Sequence, residues 1–217
     1  MSDQLDPTVV SNASKRRAAN IRIAAAAIFT AMAVVLMYLE VPLPLMPPFL
    51  KFDFSEIPVL VGSFALGPVY GIIIELLKNL IHLPVTGTMG IGELSNFITG
   101  SIFVGTSGLI YKKHRSRKGA LIAMLTGTLA LAAAGVPVNA FINLPLYGSM
   151  MGLTMDKVIG MSQGANPLIT SELRLLLLAF VPFNLFKGFV VSAITFLVYK
   201  PVSNLIKQLY QKANPEA

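Results

Sequence analysis

A lysine and an asparagine one helical turn apart, inside an apolar run, are the first chemistry this sequence offers. The run VPFNLFKGFVVSAITFLVYK (181–200) carries Lys187 13 residues from both Arg174 and Lys200. At 1.5 Å per residue that is ~20 Å to either end, farther than a lysine stem covers. An ammonium held there needs a charge partner, for which Glu75 or Glu93 would serve, or a ligand. Asn184 and Lys187, at i and i+3, share one helix face. In VNAFINLPLYGS (138–149), Asn139, Asn143 and Tyr147 fall on one stripe, as the wall of a polar pocket or as hydrogen-bonding glue between helices. GTMGIGELSNFITG (87–100) places Glu93 and Asn96 in the first turns of a helix, where free N–H groups await an acceptor. Glu93 equally suits a cap. Glu75, Lys78, Asn79 and His82 follow at i, i+3, i+4 and i+7, the spacing of one helical face, and read as a structural ion-pair stripe.

Amides, a hydroxyl and a lysine among many Phe and Leu suit a neutral ligand with a flat apolar part and several hydrogen-bonding groups. They do not suit catalysis. HExxH, GxxxxGK[ST] and a Ser/His/Asp set are all missing, and both histidines are isolated. Cysteine is absent, which removes thiol chemistry and thiolate metal sites. An enzyme, a metal site and a bound cofactor are therefore not expected.

The elements that position these residues are membrane helices. The chain has 217 residues, 54% of them hydrophobic and only 12% charged, with a mean hydropathy of +0.71. A soluble domain averages about 25% charged residues. The net charge of +7 does not point to nucleic acid, because the basic residues sit at the ends of apolar runs. Those runs are 21–39, 54–83, 94–111, 120–151 and 175–199. Lys15, Arg16, Arg17 and Arg22 put the N-terminus inside, and so does KKHRSRK (112–118) for its own loop. An even number of spans must precede that loop, which requires 54–83 to be two short helices broken at Gly67-Pro68.

The expectation is an all-α integral membrane bundle of six transmembrane helices with both termini cytosolic. Residues 1–20 form a polar cytosolic tail, 21–200 the membrane domain and 201–217 a C-terminal cytosolic tail. The outer segment EVPLPLMPPFLKFD (40–53), with four prolines, is stiff and aromatic, as a lid would be. Ala27 and Ala31 in the first span make a small-xxx-small pair that lets another helix pack closely, in this bundle or in a partner.

Four stretches in order, FLKFDFSEIPVLVGSFALGPVYGIIIELLKNLIH, TGTMGIGELSNFITG, NLPLYG and PFNLFKG, resemble the riboflavin-specific substrate-binding subunits of energy-coupling factor (ECF) transporters. The resemblance runs from about residue 21 to 200, and KFDFSEIP and FNLFKG are its most specific parts. It implies an outward-facing vitamin site capped by the first outer segment, a transmembrane T subunit, two cytosolic ATPases and residence in a bacterial cell membrane. It implies that Ala27 and Ala31 contact the T subunit. Asn184 and Lys187 would be ligand contacts, with one of Asn139 or Asn143, and with Tyr147, Asn96, Glu93, Phe52 and Phe54 as further candidates. Riboflavin would be cargo, not cofactor, and flavin mononucleotide stays open as a second ligand. The rival readings are a binding subunit for another vitamin and a stand-alone secondary transporter.

Overall fold

The computed structural model describes residues 7–213; the ends of the two tails, 1–6 and 214–217, lie outside the described residues. Helices dominate. They are α1 (Pro7–Met37), α2 (Glu56–Leu66), α3 (Pro68–His82), α4 (Ile91–Lys113), α5 (Arg117–Val138), α6 (Leu144–Met151), α7 (Met155–Gln163), α8 (Glu172–Leu175) and α9 (Val181–Ala213). Between α1 and α2 the chain forms a small antiparallel hairpin of β1 (Val41–Pro42) and β2 (Lys51–Phe52). Four segments are long and apolar enough to cross a membrane: 15–37, 68–85, 117–151 and 172–209.

The expected break at Gly67-Pro68 is present. Gly67 takes φ 109°, a conformation that L side chains rarely adopt, and Pro68 opens α3 with its fixed φ. The result is a short α2 in the middle of the bundle, in contact with α1, α3, α4 and α9. Pro58 through Phe64 are all buried, the mark of a helix apolar all round and enclosed by others. Among the described residues, helix extends into both stretches read as tails. α1 starts at Pro7, within the stretch read as a polar tail, and Ala18 is buried. α9 likewise continues beyond residue 200, through Pro201, to Ala213.

Two prolines reshape the helices at one end of the bundle. A proline has no N–H, so the carbonyl four residues back loses its partner. At Leu144-Pro145 and at Val181-Pro182 the chain answers in the same way. Leu144 N–H bonds the Asn139 carbonyl and Val181 N–H the Leu176 carbonyl, each five residues back. Both sites become single π-helical turns, 139–143 and 176–180, inside otherwise continuous helices. Such turns widen a helix and are frequent at functional sites.

Glycines close the opposite half. A methyl on Gly188 would come within 2.7 Å of Thr128 Cγ2, so α9 meets α5 backbone to side chain there. Gly108 of α4 faces Ser63 and Pro68 at the α2–α3 junction. Gly108→Ala places its methyl against Ser63 Oγ and 3.1 Å from Pro68 Cα, with backbone that does not yield. A loss of about 1–3 kcal/mol is expected from such overpacking, read as a lowered Tm in detergent; an unchanged Tm would refute the close approach.

Candidate functional site

The widened end of the bundle holds a cavity of about 320 Å³. It lies where α1 and α3 finish, where α2 and α4 begin, and where both π turns occur. The basic loop 112–118 is at the other end: Glu93 and Lys112 are 19 residues apart on α4, ~28 Å at 1.5 Å per residue. Seven of the nine candidate ligand contacts line this cavity: Glu93, Asn96, Asn139, Asn143, Tyr147, Asn184 and Lys187. Phe180, Phe183, Phe49 and Leu50 supply apolar wall.

Phe52 and Phe54 do not line it. Phe52 is buried beneath the hairpin, edge-to-face with Phe54 at 4.9 Å and with Phe186 at 5.6 Å between ring centroids. Side chains alternate along an extended strand, so on β2 Lys51 turns to the cavity and Phe52 turns away. Ala27 and Ala31 are elsewhere, on the exposed face of α1 beside Ile28, Met32 and Val35.

Lys187 is buried, and its partners are not the two that sequence spacing offered. Its Nζ is 3.4 Å from Asp53 Oδ2 and 3.8 Å from Glu56 Oε1, and it donates to Asn96 Oδ1 at 3.2 Å. These are long contacts for an ammonium, whose charge-assisted bonds run at ~2.7–2.9 Å when optimal. Asp53 is anchored independently, accepting from Ser55 N–H at 2.7 Å. Burial alone would push its carboxyl upward, but Lys187, Lys78 and Ser55 outweigh that and hold it below the usual value. Asp53 and Glu56 were absent from the candidate site residues; they lie in KFDFSEIP, the stretch most specific to the family, yet 134 and 131 residues from Lys187 no spacing rule connects them.

The two asparagines of the π turn divide their work. Asn139 is spent inside the wall: it donates to the Gly135 carbonyl at 2.7 Å and accepts from Asn143 Nδ2 at 2.7 Å. Asn143 also donates to Ser95 Oγ at 2.8 Å, and its own Oδ1 has no hydrogen-bond partner among the described residues. Asn184 makes no side-chain hydrogen bond among the described residues, nor does Tyr147, although both line the cavity. Buried polar groups are nearly always paired, so Asn184, Tyr147 and the loosely held Lys187 are groups prepared for something else.

Glu93 is different. It accepts from Thr86 at 2.8 Å and pairs with His82 Nδ1 at 2.9 Å, while Tyr38 packs on the His82 ring. That set ties the ends of α1, α3 and the start of α4 into a rim. The outer edge is crossed by the β1–β2 hairpin, held by an exposed Glu40–Lys51 ion pair. Below the cavity floor, Lys78 is wholly enclosed and donates to Glu56 Oε1 at 2.7 Å and Ser55 Oγ at 2.9 Å.

The model of the ECF transporter substrate-specific component matches residues 22–199. A riboflavin transporter, RibU, of Staphylococcus aureus is 32% identical over 191 residues, 88% of this chain and 94% of the relative. A riboflavin transporter, FmnP, of Bacillus subtilis is 30% identical over 183 residues, 82% of this chain and 90% of the relative. A solved S component of a bacterial ECF transporter superposes with a TM-score of 0.68 at 32% identity, covering 87% of this chain and 98% of its own. With a family match across the whole bundle, the chain belongs to the substrate-specific components of ECF transporters.

Proposed function

We propose that this chain captures riboflavin at the cell surface of a bacterium and delivers it inward as the S component of an ATP-driven ECF transporter. The observation that carries the ligand is the pairing of unspent hydrogen-bonding groups with an aromatic wall. Lys187, Asn184 and Tyr147 offer donors and acceptors to ring carbonyls and nitrogens, and Phe180 and Phe183 offer apolar area to the tricycle. A cavity of about 320 Å³ is at the small end of the ~300–1,000 Å³ typical of ligand pockets. That the relatives at 32% and 30% identity are riboflavin transporters supports the same ligand here.

The topology in this reading is six spans with both termini cytosolic: α1, α2, α3, α4, the α5–α6 rod and α9. α2, with 11 residues, is ~16 Å long, short of a bilayer, and depends on the helices around it. The cavity then opens outward, beneath the hairpin and α7 as lid. The chain lacks an ATP-binding loop, so the motive force comes from a T subunit and two ATPases. The exposed Ala27/Ala31 stripe on α1 is the proposed contact with the T subunit, where small residues let helices approach.

Titration of the detergent-purified protein with riboflavin tests the ligand. Saturable quenching of flavin fluorescence at one per chain is expected; its absence removes riboflavin and leaves the fold. Lys187→Ala should bind at least about tenfold more weakly, ~1.4 kcal/mol, and unaltered affinity in the folded variant would refute its role. Ala27→Leu combined with Ala31→Leu should abolish uptake in cells while the purified protein still binds riboflavin; normal uptake would move the partner contact elsewhere.

A further inference from the structure

Next to the cavity floor, five ionisable side chains are buried together: Asp53, Glu56, Glu75, Lys78 and Lys187. Three carboxyls face two ammoniums. Full ionisation would leave one uncompensated negative charge in a low-dielectric interior, which is strongly disfavoured. Asp53 is the best supported as an anion, with Ser55 N–H at 2.7 Å and Lys187 at 3.4 Å. Glu56 Oε1 is next, with Lys78 at 2.7 Å and Lys187 at 3.8 Å.

Glu75 is the least supported. It has no solvent exposure. Its Oε1 accepts from Asn79 Nδ2 at 2.9 Å, and its Oε2 lies 2.9 Å from Lys78 Nζ without hydrogen-bond alignment. Glu56 Oε2 and Glu75 Oε2 both lack a hydrogen-bond partner. The two carboxyls share a neighbour as well as a cation: a methyl on Gly100 would lie 2.5 Å from Glu75 Oε1 and 3.1 Å from Glu56 Oε1. Only a glycine on α4 leaves room for both.

We propose that Glu56 and Glu75 hold one proton between them, resident on Glu75, and that this proton keeps Lys187 available to ligand. A carboxyl O–H on Glu75 supplies a donor where a carboxylate has none, and it makes the five-group cluster neutral. The charged groups facing the pair are Asp53 from the outer segment, Lys78 from α3 and Lys187 from α9; α4 faces it with uncharged Gly100. With the proton in place, the single charge on Glu56 is divided between two lysines and Lys187 is held loosely. Loss of the proton adds a negative charge next to Glu56, which draws Lys187 into the cluster and away from the cavity. Ligand affinity therefore weakens as pH rises and Glu75 loses that proton.

The ligand half of this inference rests on the riboflavin reading; the proton half does not. Infrared spectra of the ligand-free protein at neutral pH should contain a protonated-carboxyl C=O band that Glu75→Gln removes in the difference spectrum. Glu56→Gln serves if that variant fails to fold. No difference band in either variant overturns the shared proton, whatever the ligand. Riboflavin affinity of the native protein should weaken about fivefold or more from mildly acidic to mildly alkaline pH, a typical coupling between two sites. Glu75→Gln should bind with a flat pH profile. Parallel profiles in the two proteins would overturn the link to Lys187.

Discussion

Burying Lys78 is the constraint that organises this molecule. An ammonium without water must place its three N–H donors, and removing one partner of a buried pair costs about 3–5 kcal/mol. Lys78 meets Ser55, Glu56 and Glu75, drawn from the turn before α2, from α2 and from α3. Apolar packing is non-directional and would let two short helices slide against each other. The contacts to Ser55 at 2.9 Å and Glu56 at 2.7 Å fix their register, while the one to Glu75 lies within α3. Because Glu56 also faces Lys187, the same cluster sets where α9 presents its cation to the cavity.

The cavity exists because packing is uneven along the bundle. Toward the basic loop, Gly127 and Gly188 bring α4, α5 and α9 close, Gly108 brings α4 onto the α2–α3 junction, and the helices fill the space with Phe103, Met124 and Val191. Toward the other end, two π turns widen α5–α6 and the start of α9, and both line the cavity. The side chains exposed by the widening are amides and aromatics, which line a cavity without the desolvation cost of charge. Where charge is present, it is paired at the floor and at the rim.

The sequence revealed the helices, the Gly67-Pro68 break and seven cavity residues, because each rests on a local signal: hydropathy, a breaker dipeptide, or polar residues at helical spacing. It did not reveal what touches what across the bundle. Lys187 was open to Glu75 or Glu93 as partner, and its neighbours are Asp53 and Glu56, since pairing over more than 130 residues has no periodicity to read. Phe52 and Phe54 are candidates through the family resemblance and not through any local pattern; alternation on β2 turns Phe52 under the hairpin. The π turns were written in the prolines, but a proline in a helix announces a lost hydrogen bond and not which carbonyl takes up the next donor. The helical extension of α1 back to Pro7 ran through polar sequence that membrane hydropathy discounts.

The contacts that close the cavity differ in strength from those that shape it. The hairpin crossing its mouth is held by an exposed Glu40–Lys51 pair, and such surface pairs contribute about 0–1 kcal/mol. The floor and walls are held by buried ion pairs and by asparagine amides bonded to helix carbonyls. The hairpin is therefore the more weakly held of the two, and under the proposed function it is the part that yields to an entering ligand. Asp53 is the exception that connects the two, since it ends the hairpin segment and touches Lys187 at 3.4 Å. A ligand atom that takes the Lys187 donor competes with Asp53 for it, so filling the cavity and loosening the foot of the lid are one event at one ammonium.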